Sequence, residues 1–271
     1  MDKILAKKTI LLNNKPLNYT DSGKGFVVVL LHGYLESLDV WTEFVHDLSK
    51  TCRVICIDIP GHGESELLFE KQTMEQIANH IKTALETLNI KKFVLVGHSM
   101  GGYLTLMFHH LYPEMLSGFC LFHSHPFSDS EEKRKNRIRE IELIRDGKKN
   151  LIASVNIPNT YATENVNPFA SYIERAKSIV GITPDDGIIA NIHAMMSRPD
   201  LSESLANSQI AFLYIAGKKD NLIDFISIVP KIKLPLNSQL VVLENSGHMG
   251  FIEEKETSIN HIKNFLSKIN H

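Results

Sequence analysis

The pentapeptide Gly97-His98-Ser99-Met100-Gly101 carries the strongest chemical signal in the sequence. It fits the pattern G-x-S-x-G and lies between an apolar strand-like run, FVLV, and a helix-like run, GYLTLMFHHLY. A serine hydroxyl at its ordinary pKa is a weak nucleophile, so it must stand on a sharp turn where an imidazole can take its proton. The two glycines of the pattern permit that turn. We therefore predict that Ser99 is a nucleophile between a strand and a helix.

A second motif, His32-Gly33-Tyr34, directly follows the first apolar run of the chain. A serine nucleophile needs backbone N–H groups that stabilise the negative oxygen of the tetrahedral transition state. One donor usually comes from the residue after the nucleophile and the other from a loop that follows a strand. The predicted donors are the N–H groups of Met100 and Tyr34, whereas His32 is expected to hold the loop.

These two motifs belong to a set of five that occur in one order along the chain. On this set the sequence resembles the α/β-hydrolase superfamily, specifically its capped esterase, lactonase and C–C hydrolase branch. The motifs are His32-Gly33 followed by Trp41, Asp58-Ile59-Pro60-Gly61-His62-Gly63-Glu64-Ser65, Gly97-His98-Ser99-Met100-Gly101-Gly102, Gly217-Lys218-Lys219-Asp220 and Gly247-His248.

The resemblance implies the other two members of a catalytic triad. It places the acid at Asp220, just beyond the strand-like run that follows the cap, with Asp224 as a nearby rival that is expected to cap a helix. It places the base at His248, in a turn after the last apolar run, which gives the chain order Ser, Asp, His of this superfamily. Of the other histidines, His62 and His98 are expected to be structural.

Short apolar runs recur along the chain and predict strands buried on both faces of a parallel sheet. Amphipathic helix patterns separate several of them, which indicates βαβ units and a doubly wound α/β fold. The resemblance narrows this to an α/β-hydrolase fold, with a mostly parallel central sheet flanked by helices and an inserted helical cap. The runs are residues 26–31, 53–57, 93–96, 119–122, 210–215 and 240–243.

One long stretch interrupts the alternation of strands and helices. Residues 123–205 contain helix signals but no convincing strand, so we predict a helical cap there and a core formed by residues 1–122 and 206–271. Lysines and arginines crowd residues 133–139, and we interpret that run as a solvated helix face.

Several residues that follow the fourth core strand or lie in the cap are candidates for lining a pocket, although ordinary packing is the commoner role for such side chains. His123 and His125 could also bind a metal, but the sequence near them offers no third ligand at a recognisable spacing, so we predict no metal site. The candidates are His123, His125, Phe127, Phe169, Met195 and Met196.

Composition limits the partners of the protein. The 29 Lys and Arg residues against 31 Asp and Glu residues give a net charge of −2, so we expect a small-molecule ligand, no nucleic acid and no membrane. The three cysteines show no pairing pattern and the sequence begins without a signal-peptide pattern, which favours a reducing cytoplasm. No cofactor is implied, and the sequence predicts no particular oligomeric state.

These features predict a serine esterase or lactonase of EC class 3.1.1 that works through an acyl-enzyme. The same triad serves C–C bond hydrolases and cofactor-free perhydrolases, so both stay as alternatives, although His98 resembles the esterase pattern more than the asparagine expected in C–C hydrolases. A small-molecule receptor on the same fold is a third possibility. Haloalkane dehalogenases and epoxide hydrolases are disfavoured because they place an aspartate where Ser99 stands.

Overall fold

A computed structural model describes residues 5–269 of the 271-residue chain. Its centre is an eight-stranded sheet with the strand order β1-β2-β4-β3-β5-β6-β7-β8. The strands are β1 Lys7–Leu12, β2 Lys15–Ser22, β3 Val27–Leu31, β4 Arg53–Ile57, β5 Phe93–His98, β6 Leu116–Phe122, β7 Ala211–Gly217 and β8 Ser238–Leu243. The ends of the predicted core, residues 1–4 and 270–271, lie outside the described part.

Six strands, β3 to β8, run parallel, and each corresponds to one of the predicted apolar runs. The antiparallel hairpin of β1 and β2 was not predicted, because its strands mix lysine, asparagine and threonine with few apolar residues. Its two-residue turn, Asn13-Asn14, has positive φ at both positions, as a hairpin turn that matches the twist of strands requires. The predicted fold class is therefore confirmed, with this antiparallel edge added.

Eleven α-helices occur within residues 5–269. Helices α1 and α11 pack together, as do α2 and α3, and these helices contact the sheet. The helices are α1 Thr42–Leu48, α2 Met74–Thr87, α3 Met100–Leu111, α4 Glu131–Arg145, α5 Lys149–Asn159, α6 Ala170–Ile182, α7 Asp185–Ser197, α8 Ser202–Ala206, α9 Phe225–Ile228, α10 Gly250–Glu253 and α11 Lys255–Ile269. The described helices include none that is both apolar enough and long enough to cross a bilayer.

Five of these helices, α4 to α8, fill the segment between β6 and β7, and no strand interrupts them within residues 123–205. One contact with the rest of the chain is backbone against backbone: a Cβ added to Gly187 of α7 would lie 2.1 Å from the carbonyl oxygen of Gly61. Beside it, Asn191 donates a hydrogen bond to the Pro60 carbonyl (2.8 Å). The division into core and cap at residues 123–205 stays a prediction.

The parallel strands β3 and β5 to β8 all end at one edge of the sheet. In open α/β sheets, ligands bind outside the carboxyl ends of the strands. The loops that follow these strands contain the residues that the sequence analysis selected. In chain order they carry Tyr34, Ser99, His123, Asp220 and His248.

Candidate active site

Ser99 stands in a strained turn between β5 and α3, with φ 49° and ψ −112°. Such a conformation is costly for a non-glycine residue and persists only where the surroundings hold it. Here the Ser99 N–H donates to the Phe122 carbonyl (3.0 Å), and the Ser99 carbonyl accepts from the Ser124 hydroxyl (2.8 Å). A Cβ added to Gly97 would lie 2.1 Å from the Gly101 carbonyl oxygen, so the turn leaves no room for a side chain there.

Asp220 and His248 are hydrogen-bonded, with 2.7 Å between Oδ2 of Asp220 and Nδ1 of His248. The other carboxylate oxygen accepts from the N–H groups of Leu222 (2.8 Å) and Ile223 (2.9 Å). Burial alone would raise the pKa of Asp220, but the neighbouring imidazoles of His248 and His123 hold it well below its usual range. Asp220 is therefore an anion that orients His248 and fixes the proton on Nδ1.

The other ring nitrogen of His248, Nε2, is buried and forms no hydrogen bond with any of residues 5–269. His248 and Ser99 line the same two cavities, so this unpaired nitrogen lies in the site that also contains the candidate nucleophile. The rival carboxylate, Asp224, is exposed and caps α9, where it accepts from the Ile226 N–H (3.3 Å). The structure thus brings Asp220, and not Asp224, to the histidine.

The loop after β3 leaves the Tyr34 N–H without an acceptor among residues 5–269. The Gly33 N–H donates to Oε2 of Glu36 (2.5 Å), and the Leu35 N–H donates to Nε2 of His62 (3.3 Å). Tyr34 lies between these two residues, and its N–H has no hydrogen-bond acceptor among the described residues. The Met100 N–H at the start of α3 has none among them either. These two predicted donors are therefore available to a ligand oxygen.

The histidines expected to be structural have structural partners. His32 is buried and its Nε2 accepts from the Ile59 N–H (2.9 Å), while the other ring nitrogen of His62 meets the Asn191 amide (3.1 Å). Both rings hold the loops around Gly33 rather than facing Ser99. Desolvation by burial lowers the pKa of both histidines, which keeps them neutral and able to accept.

His98, the residue before the nucleophile, joins the β3 loop to the loop of the base. Its Nδ1 lies 3.1 Å from Oε2 of Glu36, and its Nε2 lies 2.9 Å from the backbone carbonyl of His248. Burial lowers the pKa of His98, but the Glu36 carboxylate and the two hydrogen bonds outweigh it, so the pKa is raised overall. Burial would raise the pKa of Glu36, and His98 lowers it instead. Both shifts favour the charged forms of this buried pair, an imidazolium and a carboxylate.

His123 lies behind the triad rather than in a cavity, which corrects the prediction that it lines the pocket. Its ring is buried, with Nδ1 3.0 Å from the Gly217 N–H and Nε2 3.1 Å from the Gly250 N–H. Burial lowers its pKa to about 4, so the ring is neutral. Its role is to support the loop that carries Asp220, whose Oδ2 lies 3.5 Å from Nδ1.

The structure gathers one set of potential metal ligands at the site. Donor atoms of His123, Asp220 and His248 lie within 4.8 Å of one another. Both nitrogens of His123 already face backbone N–H groups, and both oxygens of Asp220 accept hydrogen bonds, so little ligand capacity remains. The residues fit a proton-transfer triad better than a metal site.

Two cavities of about 510 and 430 Å³ meet at the triad, and both fall in the size range of small-molecule sites. Three of the predicted lining residues, His125, Phe127 and Met195, line the smaller one. The cavities share six lining residues: Tyr34, Ser99, Lys133, Arg137, Leu222 and His248. Because Ser99 and His248 are among those shared, each cavity borders both the candidate nucleophile and the candidate base.

The remaining two predicted lining residues line neither of these cavities. The Phe169 ring packs on those of Tyr161 and Tyr172, and Met196 packs against the hydrophobic core. The assignment of Phe169 and Met196 to these two cavities is therefore corrected.

The interpretation of residues 133–139 as a solvated helix face needs one correction, because Arg137 is buried whereas the other residues of this run are exposed. Lys133 and Arg137, one turn apart on α4, both line the two cavities, and Arg139 lines the larger one. The spacing i, i+4 places the first two on one face of the helix. Their charge pattern alone gave no sign that this face covers the active site, because the position of the cap depends on tertiary packing.

Comparisons with known proteins agree with this geometry. The sequence profile of a family described as "alpha/beta hydrolase fold" matches residues 27–255. The structure is similar to that of a thermophilic esterase from Thermogutta terrifontis, described as malate bound, with 27% identity and a TM-score of 0.92 over 98% of this chain and 100% of that chain. It shares the fold of an enol-lactonase from Burkholderia xenovorans LB400, with 21% identity and a TM-score of 0.88 over 96% of this chain and 100% of that chain.

Two curated relatives are similar in sequence. Human monoacylglycerol lipase ABHD6 is 24% identical over 258 residues, which is 89% of this chain and 75% of that protein. The (E)-2-((N-methylformamido)methylene)succinate hydrolase of Acinetobacter baylyi is 26% identical over 144 residues, or 53% of this chain, and the match spans about half (54%) of that hydrolase.

Proposed function

Because the chain belongs to the α/β-hydrolase fold family, we propose that it is a serine hydrolase that cleaves a small or medium carboxylic ester or lactone through an acyl-enzyme. The observation that carries this proposal is the 2.7 Å hydrogen bond between Asp220 and His248, whose second ring nitrogen lies unpaired in the site of Ser99. That arrangement prepares a base for a serine hydroxyl.

In the proposed reaction, Nε2 of His248 takes the proton of Ser99 as Oγ attacks the carbonyl carbon of the ester. The N–H groups of Tyr34 and Met100 donate to the negative oxygen of the tetrahedral intermediate, and His248 returns the proton to the leaving alcohol. Water, activated by the same histidine, then attacks the acyl group and releases the acid and free Ser99. Asp220 stays ionised throughout and stabilises the charged imidazole.

The bond type is supported by the shape of the site and by the names of relatives. Two cavities that meet at Ser99 suit a substrate with an acyl part on one side of the carbonyl and an alcohol part on the other. Relatives named esterase, enol-lactonase and monoacylglycerol lipase favour an ester or lactone. C–C bond cleavage and peracid formation would use the same triad, so they are alternative outcomes of the test.

The test is hydrolysis of p-nitrophenyl esters from acetate to decanoate by the wild type, by Ser99→Ala and by a matched control, Ser267→Ala, which changes an exposed serine of α11. We expect turnover by the wild type and the control, and a loss of about 10³-fold or more in Ser99→Ala. No turnover, together with no labelling of Ser99 by a fluorophosphonate, would favour a small-molecule receptor. Turnover of a dienoate but of no ester would favour C–C hydrolysis.

The proposal also covers the kind of substrate, the need for a cofactor and the cellular compartment. The substrate is a small molecule, and the chemistry needs no cofactor. Cys52, Cys56 and Cys120 are buried free thiols, as a reducing cytoplasm would preserve them. The net charge of −2 offers no general attraction for nucleic acid or for an anionic membrane.

A further inference from the structure

The two cavities at Ser99 are positively charged, although the whole chain carries a small negative charge. Four cationic side chains line them: Lys133, Arg137, Arg139 and Lys231. One of the three carboxylates that line them, Glu36, is neutralised by His98. Cations therefore outnumber the remaining carboxylates, Asp129 and Glu140.

Asp129 does not neutralise this excess, because it already binds two guanidinium groups. Nε of Arg137 lies 2.6 Å from one of its oxygens, and Nη1 of Arg198 lies 2.7 Å from the other. Arg198 also stacks on the Tyr103 ring, with 3.8 Å between Cζ and the ring centroid. One carboxylate between two arginines leaves a positive group beside the cavity.

Lys133, Arg139 and Lys231 form no ion pair among residues 5–269, and of these three Lys133 is the one that lines both cavities. Within residues 5–269 no carboxylate oxygen lies within 4 Å of the Lys133 amine. Desolvation under the cap, and then the charge of Arg137, lower the pKa of Lys133. An anion beside the amine would reverse that shift, because an opposite charge favours the protonated form.

Glu140, the acid of α4 that lines the larger cavity, already has a partner. Glu140 accepts a hydrogen bond from the Tyr34 hydroxyl (3.1 Å), which ties α4 to the loop after β3. Burial raises the pKa of Glu140, so this carboxyl holds its charge less readily than an exposed one. Lys133 therefore lines the cavities beside Arg137 with no ionic partner of its own among residues 5–269.

We propose that Lys133, supported by Arg137, binds a carboxylate group of the substrate, so that the substrate is the ester or lactone of an acid that carries a second, free carboxylate. This rests on the proposed hydrolase function. A single ammonium suits a singly charged carboxylate, since the Arg137 guanidinium is partly engaged by Asp129. Lys133 and Ser99 line the same two cavities, so one small molecule can contact both residues.

The test compares two esters of equal chain length, mono-p-nitrophenyl glutarate, which is an anion, and p-nitrophenyl valerate, which is neutral. We expect the wild type to show at least about a tenfold higher kcat/KM for the glutarate ester, since a hydrogen bond to a charged group is worth a factor of ten or more. Lys133→Met should lower the ratio of the two kcat/KM values by about 10- to 100-fold, mainly through KM.

The matched control is Lys135→Met on the same helix, because Lys135 is exposed like Lys133 but lines neither cavity. It should leave both kcat/KM values within about twofold of the wild type. Thermal unfolding of Lys133→Met verifies that the variant is folded. Equal kcat/KM values for the two esters in the wild type would overturn the carboxylate subsite while leaving ester hydrolysis intact. The same conclusion would follow if the ratio of the two kcat/KM values were unchanged in Lys133→Met.

A binding measurement separates this proposal from the proposed function. Glutarate itself, titrated by calorimetry into wild type and Lys133→Met, needs no turnover. Binding by the wild type that is lost in Lys133→Met supports the subsite even if neither ester is cleaved. Failure of the wild type to bind glutarate, combined with no preference for the charged ester, contradicts it.

Discussion

Glu36 and His98 form a buried ion pair, with 3.1 Å between Oε2 of the carboxylate and Nδ1 of the imidazole. The same carboxylate oxygen accepts from the Gly33 N–H, and the other nitrogen of His98 donates to the backbone carbonyl of His248. One pair thus links the loop of the proposed oxyanion donor to the loop of the proposed base. The pair therefore positions both loops.

The first prediction concerns Glu36→Gln, which removes the charge of the pair with little change of shape. We expect kcat to fall by about 10- to 100-fold with KM within about threefold, because small displacements of catalytic groups affect the transition state most. Glu75→Gln, an exposed substitution on α2, is the control and should leave kcat unchanged. A Glu36→Gln variant with wild-type kcat would show that the pair has only a structural role.

The second prediction concerns the pH dependence of the free energy of unfolding. The pKa of His98 is raised in the folded chain, so its contribution is complete below the ordinary value of about 6.5 and is lost as pH rises through the raised value. The pKa of Glu36 is lowered, so its contribution is complete above about 4.3 and is lost as pH falls through the lowered value.

The pair is therefore most stabilising between about pH 4.3 and 6.5. Urea unfolding of the wild type and of Glu36→Gln from pH 5 to 9 measures the contribution of the pair to the free energy of unfolding. The difference between the two free energies should be up to about 3 kcal/mol near pH 6 and should shrink at alkaline pH. A difference that stays constant over this range would contradict a protonated His98.

The third prediction separates the two neighbouring carboxylates. Asp220→Asn should lower kcat by about 10³- to 10⁴-fold, because an amide cannot hold the proton on Nδ1 of His248 or stabilise the charged ring. Asp224→Asn should change kcat by less than about twofold, since Asp224 only caps α9 at the surface. Equal losses in both variants, measured with the same p-nitrophenyl ester, would contradict the assignment of the acid.

The fourth prediction uses two glycines of the cap helices. Gly187→Ala should destabilise the protein by about 1–3 kcal/mol, because its Cβ would lie 2.1 Å from the Gly61 carbonyl oxygen. Gly181→Ala should stabilise by up to about 1 kcal/mol, because its Cβ would meet only Asn150 at 3.9 Å and alanine favours a helix. Urea unfolding of both variants tests this, and equal effects would show that the close approach of α7 and Gly61 is absent in solution.

The parallel part of the fold could be predicted from the sequence, and so could the placement of Ser99, Asp220 and His248 in loops at one edge of the sheet. The strands β3 to β8 carry continuous apolar runs, and the G-x-S-x-G turn requires glycine at the positions where backbones approach closely. The edge hairpin could not be predicted in this way, because β1 and β2 lack such runs. The two positive φ angles of Asn13-Asn14 are typical of a hairpin turn, and that dipeptide was the available signal.

The surroundings of the triad were harder to predict, because they depend on contacts between residues far apart in sequence. Glu36 and His98 are separated by 62 positions, and nothing in the pattern around either residue indicates the ion pair. Lys133 and Arg137 share a helix face in the sequence, but only the packing of the cap shows that this face covers Ser99. The sequence and the structure both place His123 next to the site, but its ring nitrogens contact the N–H groups of Gly217 and Gly250 instead of lining a cavity.

The most direct test of the central claim is to detect the acyl-enzyme on Ser99. Wild-type protein mixed rapidly with excess p-nitrophenyl butyrate and quenched in acid should show, by intact-protein mass spectrometry, the added mass of one butyryl group. Peptide mapping should locate this group on Ser99, and Ser99→Ala should gain none. Steady turnover of the ester with Ser99 unmodified, or with the acyl group on another residue, would contradict the proposed mechanism.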